Sequence, residues 1–426
     1  MHTVQSNPLS PGINLTCVTT DIFKTGCLHI NLINALKRET AASSALLPRV
    51  LRRGSKEHPD MDSIATALDE LYGAVIEPTV RKKGELHCIG LYTDFPDERF
   101  LPVGGNILEQ TASLAGEILL SPARLAGLLR DDYIEGEKKN LIDDIRAGIN
   151  DKRGYAIDRL LEEMCPDEAF GINRLGSENE AQSITPETLT SHHSSQITNT
   201  NIELLYCGSA EPQRIEAALR SALQDLPGRA DTKLPETQVI LRPPHDTPRR
   251  YIEKLDVSQG KLAIGFRMGK AMEKDADYPA LMVFNAIYGS GVTSKLFRNV
   301  REKLALCYYA SSMIDRHKGL MIVSSGVDLA NFEVALEEIY TQLGHIKSGN
   351  VSDWELQSSK RTVTTSIKSA MDRPSGILDL YFDNLVAAKQ YDPEKLCDLV
   401  EAVTLDKVVE ISSGIEPDTE YFLTGS

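Results

Sequence analysis

Apolar and polar positions alternate in two short runs that resemble each other. Leu28, Ile30 and Leu32 occupy every second place shortly after Gly26, and Leu262, Ile264 and Phe266 do the same after Gly260. A period of two puts such residues on one face of a β-strand. Elsewhere the period lengthens. Met61, Ile64, Leu68 and Leu71 fall three or four apart, as do Ile107, Thr111, Leu114 and Ile118, and again Phe332, Leu336, Ile339 and Leu343. That spacing predicts amphipathic helices with one buried stripe, the first of them closed by Gly73.

The two strand patterns lie 234 residues apart, and other landmarks keep that offset to within one residue. Gly54-Ser55 answers to Gly289-Ser290, and the strand opening at Leu86 answers to Leu320. Later, ITPETL at 184–189 matches VTLDKV at 403–408, and IELLYCGS matches the closing TEYFLTGS. A repeat on this scale predicts two homologous halves, 1–225 and 251–426. Between them, 226–250 holds Pro227, Pro235, Pro243, Pro244 and Pro248, which favour an extended connector. Half-buried strands under amphipathic helices predict an α+β class. Each half would be a mainly antiparallel sheet covered by helices, and the pair would enclose a clam-like chamber.

Composition narrows the classes. With 426 residues, 41% hydrophobic and 25% charged, the chain reads as a soluble globular protein with room for two cores. It has no apolar run of about 18–20 residues, and MHTVQSNPLSPGINL has neither a basic head nor an apolar signal core, so a cytoplasmic location is expected. A net charge of −15 disfavours nucleic acid and anionic membrane partners. The seven cysteines are scattered without a CxxC pair, which predicts isolated core thiols rather than a disulfide framework or zinc ribbon.

Candidate chemistry concentrates in GSGVTSKLFRNVREKLALCYY, 289–309. Arg301 falls near the end of a predicted helix and Tyr308 at the entry to the next strand. A guanidinium offers forked donors to a carbonyl or carboxylate, and a phenol can donate to a developing oxyanion. A phosphate-loop reading of GSGVTSK fails, because Ser294 precedes Lys295 where glycine is required and the stretch follows the helical run LMVFNAIY. No HxxEH, HExxH or HxxxH occurs. His58 follows Glu57 but Gly54 stands in the first histidine's place, His192 and His193 would diverge on a helix, and His87 and Cys88 would face opposite sides of a strand.

The 289–309 stretch closely resembles the second-half signature of insulinase/pitrilysin-type zinc peptidases, in which an arginine and a tyrosine so spaced hold the peptide substrate. The resemblance implies substrate-binding roles for Arg301 and Tyr308. In its first half that family carries a zinc-binding HxxEH helix, with both histidines on one face and the glutamate as general base. Aligned through Gly54-Ser55, the present chain has Ala45 and Arg49 at the histidine positions and Pro48 at the glutamate. The third ligand's position, within EKKNLIDD, falls on Asp144, with Glu137 at a supporting acid two helical turns earlier on the same face. Alanine has no donor atom, proline is neither acid nor base, and a guanidinium repels a cation. The resemblance therefore implies a degenerate metal site, no cofactor in this chain, and a solvated or salt-bridged acidic face at Glu137 and Asp144. One departure bears on the grip: Ala305 stands at a usual glycine and Cys307 at a usual alanine, so a turn requiring positive φ would be strained.

The likeness extends through IFKTGCLHINLI, LLPRVLRRGS, LDELYGA and EKKNLIDDIRAGINDKRGYAIDRLLEEMC. These resemble a metal-less bacterial subfamily, the insulinase-like proteins associated with aminopentanol modification of elongation factor P and usually encoded beside a zinc-bearing homologue. The implied function is a non-catalytic, peptide-binding subunit of a heteromeric zinc peptidase, a pseudoenzyme whose HxxEH-bearing partner supplies the zinc. When the partner is absent, a homodimer is the expected assembly. The alternative is a structural scaffold, as in the respiratory-complex core subunits that share this fold.

Overall fold

The computed structural model describes residues 2–102, 105–229, 231–270, 276–389 and 391–425. The first sheet contains β1 (Thr3–Ser10), β2 (Ile13–Thr19), β3 (Thr25–Ala35), β4 (Val75–Lys83) and β5 (Leu86–Pro96). A small hairpin, β6 (Arg124–Leu125) with β7 (Leu128–Leu129), stands apart, and β8 (Asn201–Gly208) returns to complete the order β1-β2-β8-β3-β5-β4. The second sheet is built from β9 (Arg249–Lys254), β10 (Gly260–Arg267), β11 (Cys307–Asp315), β12 (Leu320–Val327) and β13 (Glu416–Thr424), in the order β11-β12-β10-β13-β9.

Taken from its β9 edge, the second sheet repeats the first. β9 runs parallel to β13 as β2 runs parallel to β8, and β10, like β3, is central and antiparallel to both neighbours. Leu28 and Leu262 thus lie on equivalent central strands, and the first sheet differs by the added edge strand β1. The final Ser426 of the matched Gly-Ser closes lies outside the described residues.

Helices fill the intervals. In the first half they are α1 (Arg38–Leu51), α2 (Met61–Glu70), α3 (Ile107–Leu120), α4 (Asp131–Ala147), α5 (Lys152–Met164), α6 (Glu178–Gln182), α7 (Pro186–Asn199) and α8 (Pro212–Ala222). The second half has α9 (Asp277–Tyr288), a π-helix (Leu296–Lys303), α10 (Phe332–Lys347), α11 (Asp353–Ala370), α12 (Pro374–Val386), α13 (Pro393–Glu401) and α14 (Leu405–Ser413). The expected stripes are buried, except that Met61, at the first position of α2, is exposed.

Packing partitions the chain differently from its repeat. One compact unit comprises Met1–Arg146, Ile172–Glu236 and Met371–Lys389, and the other Ala147–Gly171, Thr237–Ala370 and Gln390–Ser426. Two equivalent helices are therefore exchanged between the halves. Leu28, Ile30 and Leu32 of β3 face the main core with α1 and α3, whereas Cys27 and Ile33, pointing the other way, meet Ile377, Leu378 and Phe382 of α12. On the second sheet, Leu160, Leu161 and Met164 of α5 pack against Ala263, Ile322, Tyr421 and Leu423. Met164 approaches so closely that a Cβ at position 265 would lie 2.3 Å from its sulfur, which is why Gly265 interrupts β10.

Different clasps hold the two exchanged segments. Beyond α5, Glu168 meets the fully buried Arg267 at 2.5 Å and Lys318 at 2.6 Å, and Arg267 also bonds Asp418 at 2.9 Å. On α12, Asp379 and Asp383 pair with Arg81 and Lys83 of β4 at 2.5 and 2.6 Å, all four partly exposed. The expected connector carries no helix or strand between 231 and 248, and β9 begins inside its span at Arg249.

Candidate functional site

In the first unit, α1 brings Ala45, Pro48 and Arg49 into one turn. Ala45 is fully buried and Pro48 lies inside the helix, where it has no N–H to offer the carbonyl four residues back. Arg49 reaches across to α4, its Nη1 at 2.7 Å from Asp144 Oδ2. Arg53, just past the end of α1, pairs with Glu137 at 3.3 Å. Two carboxylates seven residues apart on α4 thus meet two guanidinium groups four apart on and beyond α1. The cations lie at the C-terminal end of α1, where the helix dipole favours them. Arg53 and Arg130 both stack on Tyr133, at 5.6 and 4.3 Å from the ring centre, and the Tyr133 hydroxyl donates to the Pro59 carbonyl at 2.6 Å.

These residues do not fit a zinc ion. Ala45 has no donor atom, and the carboxylate at the third ligand's position already neutralises the guanidinium that stands in for a histidine. Among the described residues no group of three or more His, Cys, Asp or Glu is placed to hold a metal. The nearby histidines serve the core. His192 Nε2 lies 3.0 Å from the hydroxyl of buried Ser44, and His193 Nε2 lies 2.8 Å from the Leu119 carbonyl. Burial, with a small contribution from His193, lowers the His192 pKa to about 4, and burial lowers His87 to about 4 as well.

The second unit treats the matching stretch in the opposite way. After α9, Gly289 lies so close to β11 that a Cβ there would sit 2.6 Å from the Ser312 nitrogen. Lys295, nearly buried, is fixed to Glu355 at 2.9 Å. The chain then widens into the π-helix, with Leu304 N–H donating to Asn299 O and Leu306 N–H to Val300 O, five and six residues back. Leu296 and Val300 point into the core while Arg301 is exposed, its guanidinium over the Phe297 ring at 4.5 Å.

Next, Ala305 adopts φ 50°, the left-handed region that costs a residue with a Cβ roughly 1–2 kcal/mol. The strain expected of an alanine at a glycine position is present. β11 then pairs with β12 out of step: Cys307 faces Val327, Tyr309 faces Gly326, and Tyr308 is the extra residue of a β-bulge. The bulge turns Tyr308 outward to 66% exposure, whereas Tyr309 packs under Arg153 at 4.6 Å. Cys307 is buried. Burial pushes its thiol pKa up, while a hydrogen bond with Ser325 and the charge of Arg301 act against that, which places the guanidinium near the start of β11.

Arg301 and Tyr308 therefore sit on three successive irregularities, a π-helix, a left-handed alanine and a bulge. Such features are enriched at functional sites because surrounding structure must be recruited to hold them. Among the described residues neither side chain has an ion pair or hydrogen bond of its own. β11 is also the edge of its sheet, where an extended ligand can add as a further strand, although the Ser312 N–H already donates to the Gly289 carbonyl at 3.2 Å. Sequence reasoning missed the bulge and the role of Arg53; Ala305 in a glycine position was the visible signal of the first, and nothing in the local sequence announced the second.

Comparison with known proteins finds relatives in both sequence and fold. Residues 183–363 match the family model described as "Peptidase M16 inactive domain". The "Probable inactive metalloprotease YmfF" of Bacillus subtilis (strain 168) is 32% identical over 97% of this chain and 96% of its own. From the same organism, the "Uncharacterized zinc protease YmxG" is 26% identical over 38% of this chain and 41% of its own. Among solved structures, a conserved protein from Enterococcus faecalis V583 superposes with a TM-score of 0.90 at 25% identity, covering 99% of both chains.

Proposed function

The chain belongs to the M16, insulinase-type peptidase family, and from that membership we propose that it is the substrate-binding, non-catalytic subunit of a heteromeric zinc peptidase. The observation that carries this reading is the pair Arg301 and Tyr308, both exposed, without an ion pair or hydrogen bond among the described residues, and seated on a strained edge. The chain's own metal positions are occupied by Ala45, Pro48 and an arginine already paired with Asp144. On this reading an HxxEH-bearing homologue brings the metal and its water, and this chain orients the peptide. Positioning of substrate and catalyst can be divided between polypeptides so long as both are held together in the complex. The occurrence in one Bacillus strain of a relative named inactive and another named a zinc protease supports such a division. The pathway that the sequence resemblance suggests is modification of elongation factor P, and a homodimer is the proposed state when the partner is absent.

Reconstitution tests the proposal. The chain alone, an HxxEH-bearing homologue from the same organism alone, and the two mixed are assayed on a quenched-fluorescent peptide library, with zinc counted by elemental mass spectrometry. Cleavage by the mixture only, with zinc following the homologue, is expected. Robust cleavage by this chain alone, or full activity of the homologue without it, would overturn the assignment.

A further inference from the structure

The π-helix presents a second arginine whose surroundings resemble those of the first. Arg298 lies over the ring of Trp354, at the start of α11, with 4.8 Å between guanidinium carbon and ring centre. Trp354 is the chain's single tryptophan and is 51% exposed. Stacking fixes the plane of a guanidinium and leaves its N–H edge free for a planar oxygen pair. Arg301 is held over Phe297 in the same manner. Neither arginine forms an ion pair among the described residues, although the chain carries 61 acidic against 46 basic residues. Glu302 next to Arg301, and Asp353 next to Trp354, form no ion pair with them among the described residues, and Glu355 is taken by Lys295 and Ser352. Of the other stacked arginines, Arg53, Arg99, Arg130 and Arg250 have carboxylate partners, whereas Arg153 over Tyr309 bonds the Ser311 hydroxyl and Arg316 lies over Tyr278. Arg298 and Arg301 are thus two ring-stacked guanidinium groups, three residues apart on one short helix and without ion pairs among the described residues, on an acidic protein.

We propose that Arg298, held flat by Trp354, forms with Arg301 a subsite that selects an acidic residue in the bound peptide. This rests on the substrate-binding reading above and adds the substrate class. Arg301 and Tyr308 hold the backbone at the edge of β11, and the Arg298–Trp354 stack takes a side-chain carboxylate nearby. A forked contact to a carboxylate is the geometry for which a stacked arginine is suited and a lysine is not.

The test uses the full chain and three dye-labelled nonapeptides of one length, rich in glutamate, glutamine or lysine, read by anisotropy. Emission from Trp354 gives a second signal located at the site itself. The glutamate peptide is expected to bind at least about tenfold more tightly than the glutamine peptide, with Trp354 emission changing along the same isotherm. Arg298→Gln should bring the ratio of the two affinities toward one, and Arg298→Lys, which keeps the charge but loses the planar fork, should restore only part of it. Binding of the glutamate and glutamine peptides with equal affinity, lost on Arg301→Ala, would overturn the acidic subsite while leaving the grip intact. Absence of binding by every peptide would sink both. An acid preference that survives Arg298→Gln would also overturn the proposal, since it would arise from another part of the surface.

Discussion

Arg49 and Arg301 both lie at the C-terminal ends of helices, in regions where the family builds its chemistry, and their fates differ. Arg49 has folded onto Asp144 and, with the Arg53–Glu137 pair beside it, neutralises its surroundings within the chain. Arg301 has no such partner among the described residues and stacks on Phe297. The backbone differs in the same sense. α1 keeps a regular helix in spite of Pro48, whereas the Arg301 stretch holds a π-helix, a left-handed alanine and a bulge in 13 residues. On the proposed reading, a site without its metal relaxes into self-pairing, while one that receives a ligand keeps exposed groups and local strain.

Acid should separate the two units by the largest margin. His29, His87 and His192 all lie in the first unit, and burial lowers each to a pKa of about 4. Below the ordinary pKa of about 6.5 the unfolded chain takes up protons that the folded chain refuses, so stability falls as pH drops from about 6.5 toward 4. Each site can contribute up to about 3 kcal/mol by that linkage, offset in part by buried Glu203 of the same unit, whose carboxyl is pushed up to about 7 and gains stability as pH falls, so a net loss is expected. Hydrogen exchange followed between pH 7 and 4.5 should show α1, α7 and β5 losing protection before β10, β12 and β13. The reverse order would mean that the buried Glu168–Arg267–Asp418 network, not the histidines, is the weaker element.

Substitution at the grip comes next. Arg301→Ala should remove about 2–5 kcal/mol from transition-state binding in the reconstituted peptidase, as expected for a charged contact excluded from water. A steady-state assay should show that loss in kcat/KM, with the melting temperature little altered because Arg301 is exposed and makes no ion pair or hydrogen bond among the described residues. A scaffold subunit would tolerate the change with partner activity intact, and that result would remove the functional meaning of the contrast between the two arginines.

Ala305 sharpens the comparison by a smaller amount. Ala305→Gly relieves roughly 1–2 kcal/mol of left-handed strain and gives back about 0.4–1 kcal/mol through the freer unfolded chain. A net gain of about 1 kcal/mol in chemical denaturation is expected. Destabilisation instead would show that the alanine methyl makes a compensating contact.

Much of this arrangement was legible in the residues. The periods of two and of three to four located β3, β10, α2, α3 and α10, and the offset between Leu28 and Leu262 pointed to two sheets with one strand order. β1 and β2 were missed because MHTVQSNPLSPGINL alternates weakly and β1 is exposed on both faces. The exchange of α5 and α12 was also invisible, since amphipathicity says that a helix has an apolar face and not which sheet receives it. Tyr308 was placed correctly at a strand entry, but a bulge is a property of register against β12, which local sequence does not encode. The closed side was read as absence, Ala45 and Pro48 lacking donors, when the structure adds a positive feature, the ion pair made by Arg49.

The value of that pair sets the smallest effect and the cleanest test of the contrast. Arg49 is 21% and Asp144 55% exposed at the side chain, so water and salt screen much of their attraction. A double-mutant cycle with Arg49→Ala and Asp144→Ala should return a coupling of about 0.5 kcal/mol, shrinking as salt is raised from 0.05 to about 0.5 M. Reconstituted peptidase activity should not follow the coupling, because a relaxed metal site has no part in holding substrate. A coupling above about 2 kcal/mol would mean the pair is a structural keystone. Loss of activity on Arg49→Ala with stability unchanged would be the more serious result. It would show that the guanidinium occupying a histidine's place has acquired a task of its own, and that the closed side of the molecule is as functional as the open one.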